Sequence, residues 1–466
     1  MDPLFAFPGT QSERCAAISN TLYETNRIYQ EIVDHYSSMF YFYYTVIPRQ
    51  IKSKSKPTKA DYTKYYQSML EYADGMNIQC TFPDLLSKLF RTGQICITAV
   101  GNSSSKTLNT LVLPNKFCKP TVQTQFGTNQ LQFDFSFFDT LGFTTEQLDQ
   151  LLGLFPDEFR EKYEVYRTSP SDKRWQDMDP TFTTCIQQND DGFPTFLAIL
   201  YDIVDYKTYK LNELDRNTNL LERLVSQEID MEKTGLDLEE VQALHDSMAE
   251  VICQSPGSNL VTTVGSLNVH PMQEDADVQS TVLQNAFDRV FDNAGFNHNI
   301  FTGSSSEALD ASLKRDANYV WNFVQKLQNF YNIAINNVKS FGPYQCSLRI
   351  LPISAYNRKE MLEELHQSAT LGIGIIDYMV ASGISQIDIE AELELQEHLD
   401  LVNRLVPLQS SHTQSSSEES LKVDKETSND AEKESASEEK SLQSKEDTTE
   451  KKDKSSDNKD EIKGDK

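Results

Sequence analysis

The segment DADVQSTVLQNAFDRVFDNAGFNHNIFTGSSSEALDASLKRDANYVWNFVQKLQNFYNIAIN, residues 275–336, decides the reading of the fold. In its first part Val278, Val282, Ala286 and Val290 recur every four residues, with Leu283, Phe287 and Phe291 beside them. Asp275 to Asn293 therefore reads as an amphipathic helix with one apolar stripe, and Gly295 supplies its stop. The second part, from about Glu307 to Asn336, carries Leu309, Leu313, Ala317, Val320, Val324, Leu327 and Tyr331 at helical spacing, which predicts a second, long helix. Between them lies the turn Phe301-Thr302-Gly303-Ser304-Ser305-Ser306.

Working outward toward the C-terminus, Gly342-Pro343 breaks the helix and Cys346 to Ile353 reads as a strand. Arg358 to Ala369, Ile375 to Ala381 and Asp388 to Val402 form a helical group. Ser411 to Lys466 contains no aromatic residue and is dominated by Ser, Glu, Asp and Lys. Such a segment buries too little apolar surface to offset its ordering entropy, so disorder is expected there.

Toward the N-terminus, Leu197 to about Asp230 reads as largely helical and carries Tyr201, Tyr206 and Tyr209; Gly235 breaks it. Leu238 to Cys253 continues as helix, Pro256-Gly257 marks a loop, and Leu260 to Val269 looks strand-like. Further upstream, Ser19 to Ser38 reads as a helix with Ser19 as N-cap. The aromatic run Met39 to Ile47 suggests a strand or a helix-to-strand junction, and is far shorter than the roughly 20 residues that span a bilayer. Tyr62 to Ala73 and Phe82 to Phe90 are helical, the latter ended by Gly93; Ile95 to Val100 and Thr107 to Leu113 are strands. Gln130 to Phe138 alternates Leu131, Phe133, Phe135 and Phe137, a period-two strand. Thr145 to Leu154 and Asp157 to Tyr166 are helices, and Phe182 to Ile186 a short strand. No internal repeat is visible, and the class is α+β.

The 466 residues carry 70 acids against 43 bases, a net charge of −27. Ser411 to Lys466 holds 17 of those acids and 11 of the bases, leaving −21 on the body. Tight gripping of nucleic acid needs clustered Lys and Arg, and this balance argues against it. A short basic stretch, Arg49, Lys52, Lys54, Lys56 and Lys59, reads as a solvated loop or a partner-facing patch. Met1-Asp2-Pro3-Leu4 opens no charged and then apolar leader, so no secretory signal is expected. The seven Cys are scattered with no CxxC, which reads as free buried thiols in a reducing compartment.

Enzyme signatures are missing. No Gly-Lys pair exists to build a phosphate-binding loop. Gly372-Ile373-Gly374 is followed by Asp377 where a dinucleotide turn wants glycine, and no HExxH occurs. The seven His stand alone, so neither a metal nor a cofactor is expected. Acids from Glu213 through Asp215, Glu228, Asp230, Glu232, Asp237 and Glu239 to Glu240 read as solvated helix faces, although a metal-dependent nuclease would use convergent carboxylates.

Several segments, in order, resemble portal proteins of tailed bacteriophages. They are Leu22-Tyr23-Glu24 through Ile28-Tyr29 to Met39 and Pro48; Met76-Asn77-Ile78 with the Phe82 to Phe90 helix and Thr92-Gly93; Val112 to Cys118; and Trp175 to Asp179-Pro180. The match is strongest at Phe301 to Leu309 and ends with Ala369-Thr370-Leu371-Gly372, Ala381 to Ser385 and the acidic Glu390 to His398 helix. The resemblance covers roughly Thr21 to Leu401.

The resemblance implies a portal-like fold: an α/β wing over 1–193, long stem helices flanking a small α/β clip over 194–300, then a tunnel loop, long helix and returning wing strand over 301–357. A helical crown over 358–407 and a disordered acidic extension over 408–466 complete it. The tunnel loop would be Phe301, Thr302, Gly303, Ser304, Ser305 and Ser306. The implied function is a ring, usually dodecameric, at one capsid vertex, through which double-stranded DNA is packaged and ejected. Implied partners are the terminase large subunit, head-tail connector proteins, and the major capsid and scaffolding proteins. The implied location is the virion, with host cytoplasm during assembly, and no catalysis is implied. The alternatives are another virion structural protein, such as a minor head or connector subunit, and a metal-dependent nucleic-acid enzyme.

Overall fold

A computed structural model describes residues 11–51, 58–102, 107–124, 127–221, 223–228, 233, 235, 237–252, 258–263, 276–295 and 307–400. The chain is mixed α+β. It divides into two units, Met1–Leu399 and Asp400–Lys466. The first contains every element that follows. The 408–466 extension and the turn Phe301 to Ser306 lie outside the described residues, as do Lys52, Lys54 and Lys56 of the basic stretch.

The chain opens with helices α1 (Ser12–Thr25) and α2 (Arg27–Ser37). The expectation of one helix capped at Ser19 is corrected. Asn26 leaves helical geometry between them, and its side chain accepts the Tyr29 N–H at 3.0 Å, capping α2 instead. Ser19 sits inside α1, buried, with its hydroxyl 2.6 Å from that of Tyr29. Strand β1 (Tyr44–Gln50) follows, then α3 (Lys59–Gly75) and α4 (Ile78–Thr92). On α4 the residues Ile78, Phe82, Leu85, Leu86, Leu89 and Phe90 share one face and all are buried. Gly93 ends α4 with φ +79°, and a Cβ there would stand 2.2 Å from the Gly192 carbonyl oxygen, so this turn requires glycine.

Next come β2 (Gln94–Asn102), β3 (Thr107–Leu113), β4 (Cys118–Gln123) and β5 (Asn129–Asp134). The strand expected to reach Phe138 stops at Asp134; the short α5 (Phe137–Thr140) replaces its end, with Asp134 Oδ1 accepting the Ser136 N–H. Helices α6 (Thr145–Leu152) and α7 (Asp157–Thr168) lead to β6 (Trp175–Asp177) and β7 (Thr183–Gln187). The sheet runs β3-β2-β7-β5-β4 with β6 added on β5, and all its pairings are antiparallel.

Strand alternation divides the interior across this sheet. Ile95, Ile97 and Ala99 face a large core shared with α2, α3 and α4. Cys96 faces a second core of Phe133, Phe135, Phe138, Phe159 and Tyr163.

After a 3₁₀ turn, Thr195–Ile199, come α8 (Leu200–Leu221), β8 (Arg223–Glu228), α9 (Leu238–Ile252), β9 (Ser258–Thr263) and α10 (Ala276–Asn293). The helix expected to reach Asp230 is corrected: residues 223–228 are strand. Their backbone pairs in parallel with β9, Arg223 opposite Ser258 and Glu228 opposite Thr263. Arg-Leu-Val-Ser-Gln-Glu is short and only partly β-branched, so pairing rather than local propensity decides its state.

The long helix α11 (Glu307–Val338) then crosses the large core with Val320, Phe323, Val324, Leu327, Tyr331, Ala334 and Ile335. Strand β10 (Tyr344–Ile350) returns to pair with β1, Tyr44 opposite Ile350 and Gln50 opposite Tyr344. Helices α12 (Arg358–Thr370), α13 (Ile375–Ser382) and α14 (Gln386–His398) close the unit. They share a small core made of Leu351, Ile353, Val380, Ala381 and Ile389.

The two-stranded β1–β10 sheet meets side-chain amides on both outer edges. Gln328, Asn332 and Asn336 lie four apart on α11 and meet alternate residues of β10. Gln328 accepts the Ile350 N–H at 2.8 Å. Asn332 accepts the Leu348 N–H at 2.7 Å and donates to its carbonyl at 3.0 Å. Asn336 treats Cys346 the same way, at 2.8 and 2.7 Å. On the other edge Gln386 accepts the Val46 N–H at 2.6 Å and donates to its carbonyl at 3.2 Å. The outer edge of β10, and that of β1 at Val46, thus find side-chain partners within the fold.

Candidate assembly site: the paired helices and the unit between them

Helices α8 and α10 pack together at their core-proximal ends. Ile203, Val290 and Phe291 are buried there, Tyr206 stacks obliquely on Phe287 at 5.7 Å, and Phe287 meets Phe291 edge-on at 4.9 Å. Asp202 fixes the junction. Its carboxylate accepts from Asn293 Nδ2 at 2.9 Å, and Arg289 stands 3.7 Å away. The Arg315 guanidinium of α11 donates to the Gly295 carbonyl just beyond α10. Gly295, at the end of α10, and Arg315, two turns into α11, are therefore tied to one another.

The chain connecting α8 to α10 contains β8, α9 and β9, a βαβ unit with parallel strands. Asp237 and Glu240 open α9 reciprocally. Asp237 Oδ1 accepts the Glu240 N–H at 2.8 Å, and Glu240 Oε2 accepts the Asp237 N–H at 3.1 Å. Two of the acids that a nuclease might have used are thus engaged in capping. Among the described residues no group of three or more His, Cys, Asp or Glu is placed to hold a metal ion.

Apolar side chains on this module face outward. Helix α9 carries Leu238, Val241, Leu244, Met248 and Val251 at spacings of three and four; Val241 is buried and the other four are exposed. Helix α8 exposes Tyr201, Val204, Tyr209, Leu211 and Leu214, and α10 exposes Val282. Scattered surface leucines are ordinary, but a helical stripe of them marks an interaction surface.

A separate cleft is lined by Asp157, Glu158, Glu161, Lys162 and Asp179. Glu158 accepts from Lys162 Nζ at 2.6 Å and from the Asp179 N–H at 2.9 Å, so this carboxylate serves the fold.

Sequence periodicity found α8, α9 and α10 but missed both the parallel pairing of β8 with β9 and the stripe on α9. The stripe was legible, since Leu238, Val241, Leu244, Met248 and Val251 fall at helical intervals; its exposure was not, because identical spacing also builds cores. No family model matches the chain, and no curated protein matches it.

Proposed function

We propose that the chain is the ring subunit of a portal-type assembly, the channel through which a tailed bacteriophage packages and ejects double-stranded DNA. The observation that carries this reading is the α8–β8–α9–β9–α10 module: two packed helices joined by a parallel βαβ unit, with uncovered apolar side chains along α8 and α9. In this reading α8 and α10 form the stem, β8–α9–β9 the clip, β1, β10 and the six-stranded sheet the wing, and α12–α14 the crown. Phe301 to Ser306 would approach the channel as the tunnel loop. The clip would face the terminase and later the connector proteins.

Support also comes from charge. The body carries a net −21, and a ring repeats each acid in every subunit. Such a surface confines phosphate-bearing DNA without the salt-dependent adhesion that rings of Lys and Arg produce. Subunits would meet head to tail, in an interface that closes by rotation.

The test is negative-stain imaging and sedimentation of the purified full-length protein. Closed rings with a central hole are expected. Replacing Leu244 and Met248 with Lys should dissociate them while leaving the helical circular dichroism unchanged. A protein that stays monomeric at micromolar concentration, or closed rings indifferent to both substitutions, would count against this reading.

A further inference from the structure

At alternate positions strands β2 and β7 place identical residues opposite one another: Gln94 with Gln187, Cys96 with Cys185, and Thr98 with Thr183. The Ala99 N–H donates to the Phe182 carbonyl and the Gln188 N–H to the Gly93 carbonyl, so the odd-numbered positions of β2 carry the ladder hydrogen bonds. The three like pairs therefore occupy non-hydrogen-bonded positions, where the Cα atoms of an antiparallel pair approach to about 4.5 Å and side chains come closest. Each pair touches: Gln187 Nε2 donates to Gln94 Oε1 at 3.2 Å, the Thr98 and Thr183 hydroxyls lie 3.0 Å apart, and the two sulfurs lie 3.0 Å apart. That last distance is inside ordinary contact for two unbonded sulfurs. Cys118 of β4 is buried in the same second core beside them, so three thiols gather there.

We propose that Cys96 and Cys185 are a redox-modifiable pair that closes to an intramolecular disulfide by exchange with a small disulfide such as oxidised glutathione. One thiolate attacks the oxidant's disulfide and releases one glutathione thiol, leaving a mixed disulfide. The second thiolate attacks the protein sulfur of that bond and releases the other. Two protein thiols are oxidised and one small disulfide is reduced to two thiols. Cross-strand geometry at a non-hydrogen-bonded position falls within the separations a disulfide spans.

Burial sets when this happens. Both sulfurs are fully shielded, and burial together with the neighbouring thiols holds Cys96 well above the ordinary thiol range, so thiolate is scarce in the closed sheet. Closure belongs to folding, or to openings of β7. That strand meets β5 in a single register pair, Asn129 opposite Cys185, which makes it the seam of the sheet. The bond would join residues 89 apart and restrict the unfolded chain. The proposal is independent of the ring reading.

The experiment compares full-length protein refolded in reduced and in oxidised glutathione, then unfolded, alkylated and digested. The expected result is a peptide linking Cys96 to Cys185 in the oxidised sample alone, and a rise in Tm of roughly 5 °C. In Cys185→Ser the Tm should no longer respond to the oxidant. Recovery of Cys96 and Cys185 as alkylated thiols in both samples would overturn the proposal, as would an equal Tm response in Cys185→Ser.

Discussion

Asp316 lies on α11 with its side chain almost wholly buried, receiving a hydrogen bond from the Tyr36 hydroxyl and facing the Arg315 guanidinium at 3.8 Å. Burial outweighs these partners and pushes its carboxyl up to about 6. Between pH 4 and 6 the native state then holds a proton that the unfolded chain has released. Stability from this group is complete at low pH and falls as pH rises through that window, by about 3 kcal/mol. His35 has the opposite slope. Burial lowers its imidazole to about 4, so its contribution is present above pH 6.5 and is lost as pH falls. The two slopes offset each other in the wild type. In Asp316→Asn the amide oxygen still accepts from Tyr36, and the penalty of burying a carboxylate is gone. This variant should be roughly 1–3 kcal/mol more stable than wild type at pH 7. It should also lose stability more steeply on acidification from pH 6.5 to 4. Urea midpoints across that range measure both effects; parallel curves for the two proteins would refute the account.

At the scale of elements, the amide row on α11 shows why some pairings are invisible in sequence. Gln328, Asn332 and Asn336 recur every four residues, a pattern that reads as the polar face of an amphipathic helix. In the fold they stand where a third strand would stand, with Leu348 buried beside them. Asn332→Ala would leave the Leu348 N–H and C=O without their side-chain partner, and should cost about 2–4 kcal/mol. Guanidinium chloride melts read this directly, and a loss under about 0.5 kcal/mol, the size of an ordinary surface substitution, would mean that the row is dispensable. Helices α4 and α11 were legible because spacing and burial agree; on α10 they agree at Ala286 and Val290 but not at Val282, which is exposed. The strand at 223–228 was not legible, because its partner lies across α9. The thiol cluster was not, because Cys96, Cys118 and Cys185 meet only once the sheet forms. The turn Phe301 to Ser306 invites a charge test at the same scale. If the ring reading holds, replacing Ser304, Ser305 and Ser306 with Lys would set three positive charges per subunit beside the DNA. Rings should assemble, and DNA packaged per head should fall. Normal packaging by well-formed rings of this variant would exclude the loop from the channel wall.

For the whole molecule, the question is how much of the chain the fold needs. Every buried apolar residue in the four clusters lies between Cys15 and Ile389, and the last described helix ends at His398. Ser411 to Lys466 has no aromatic side chain to add to any of them, and its 17 acids against 11 bases give it charge of the same sign as the body. Attraction between the two is therefore not expected from charge, and burial has little apolar material to work with. Ending the chain after Ser410 should change Tm by less than about 1 °C. If the ring reading holds, ring diameter in negative stain should also stay the same, because the outward apolar residues of α8 and α9 remain. The truncation removes a net −6, so it should reduce the charge that a ring presents. Any effect on assembly should then depend on ionic strength, being larger at low salt and vanishing as screening shortens the range of repulsion. A large fall in Tm that salt does not reverse would show instead that the extension packs against the body and belongs to its fold.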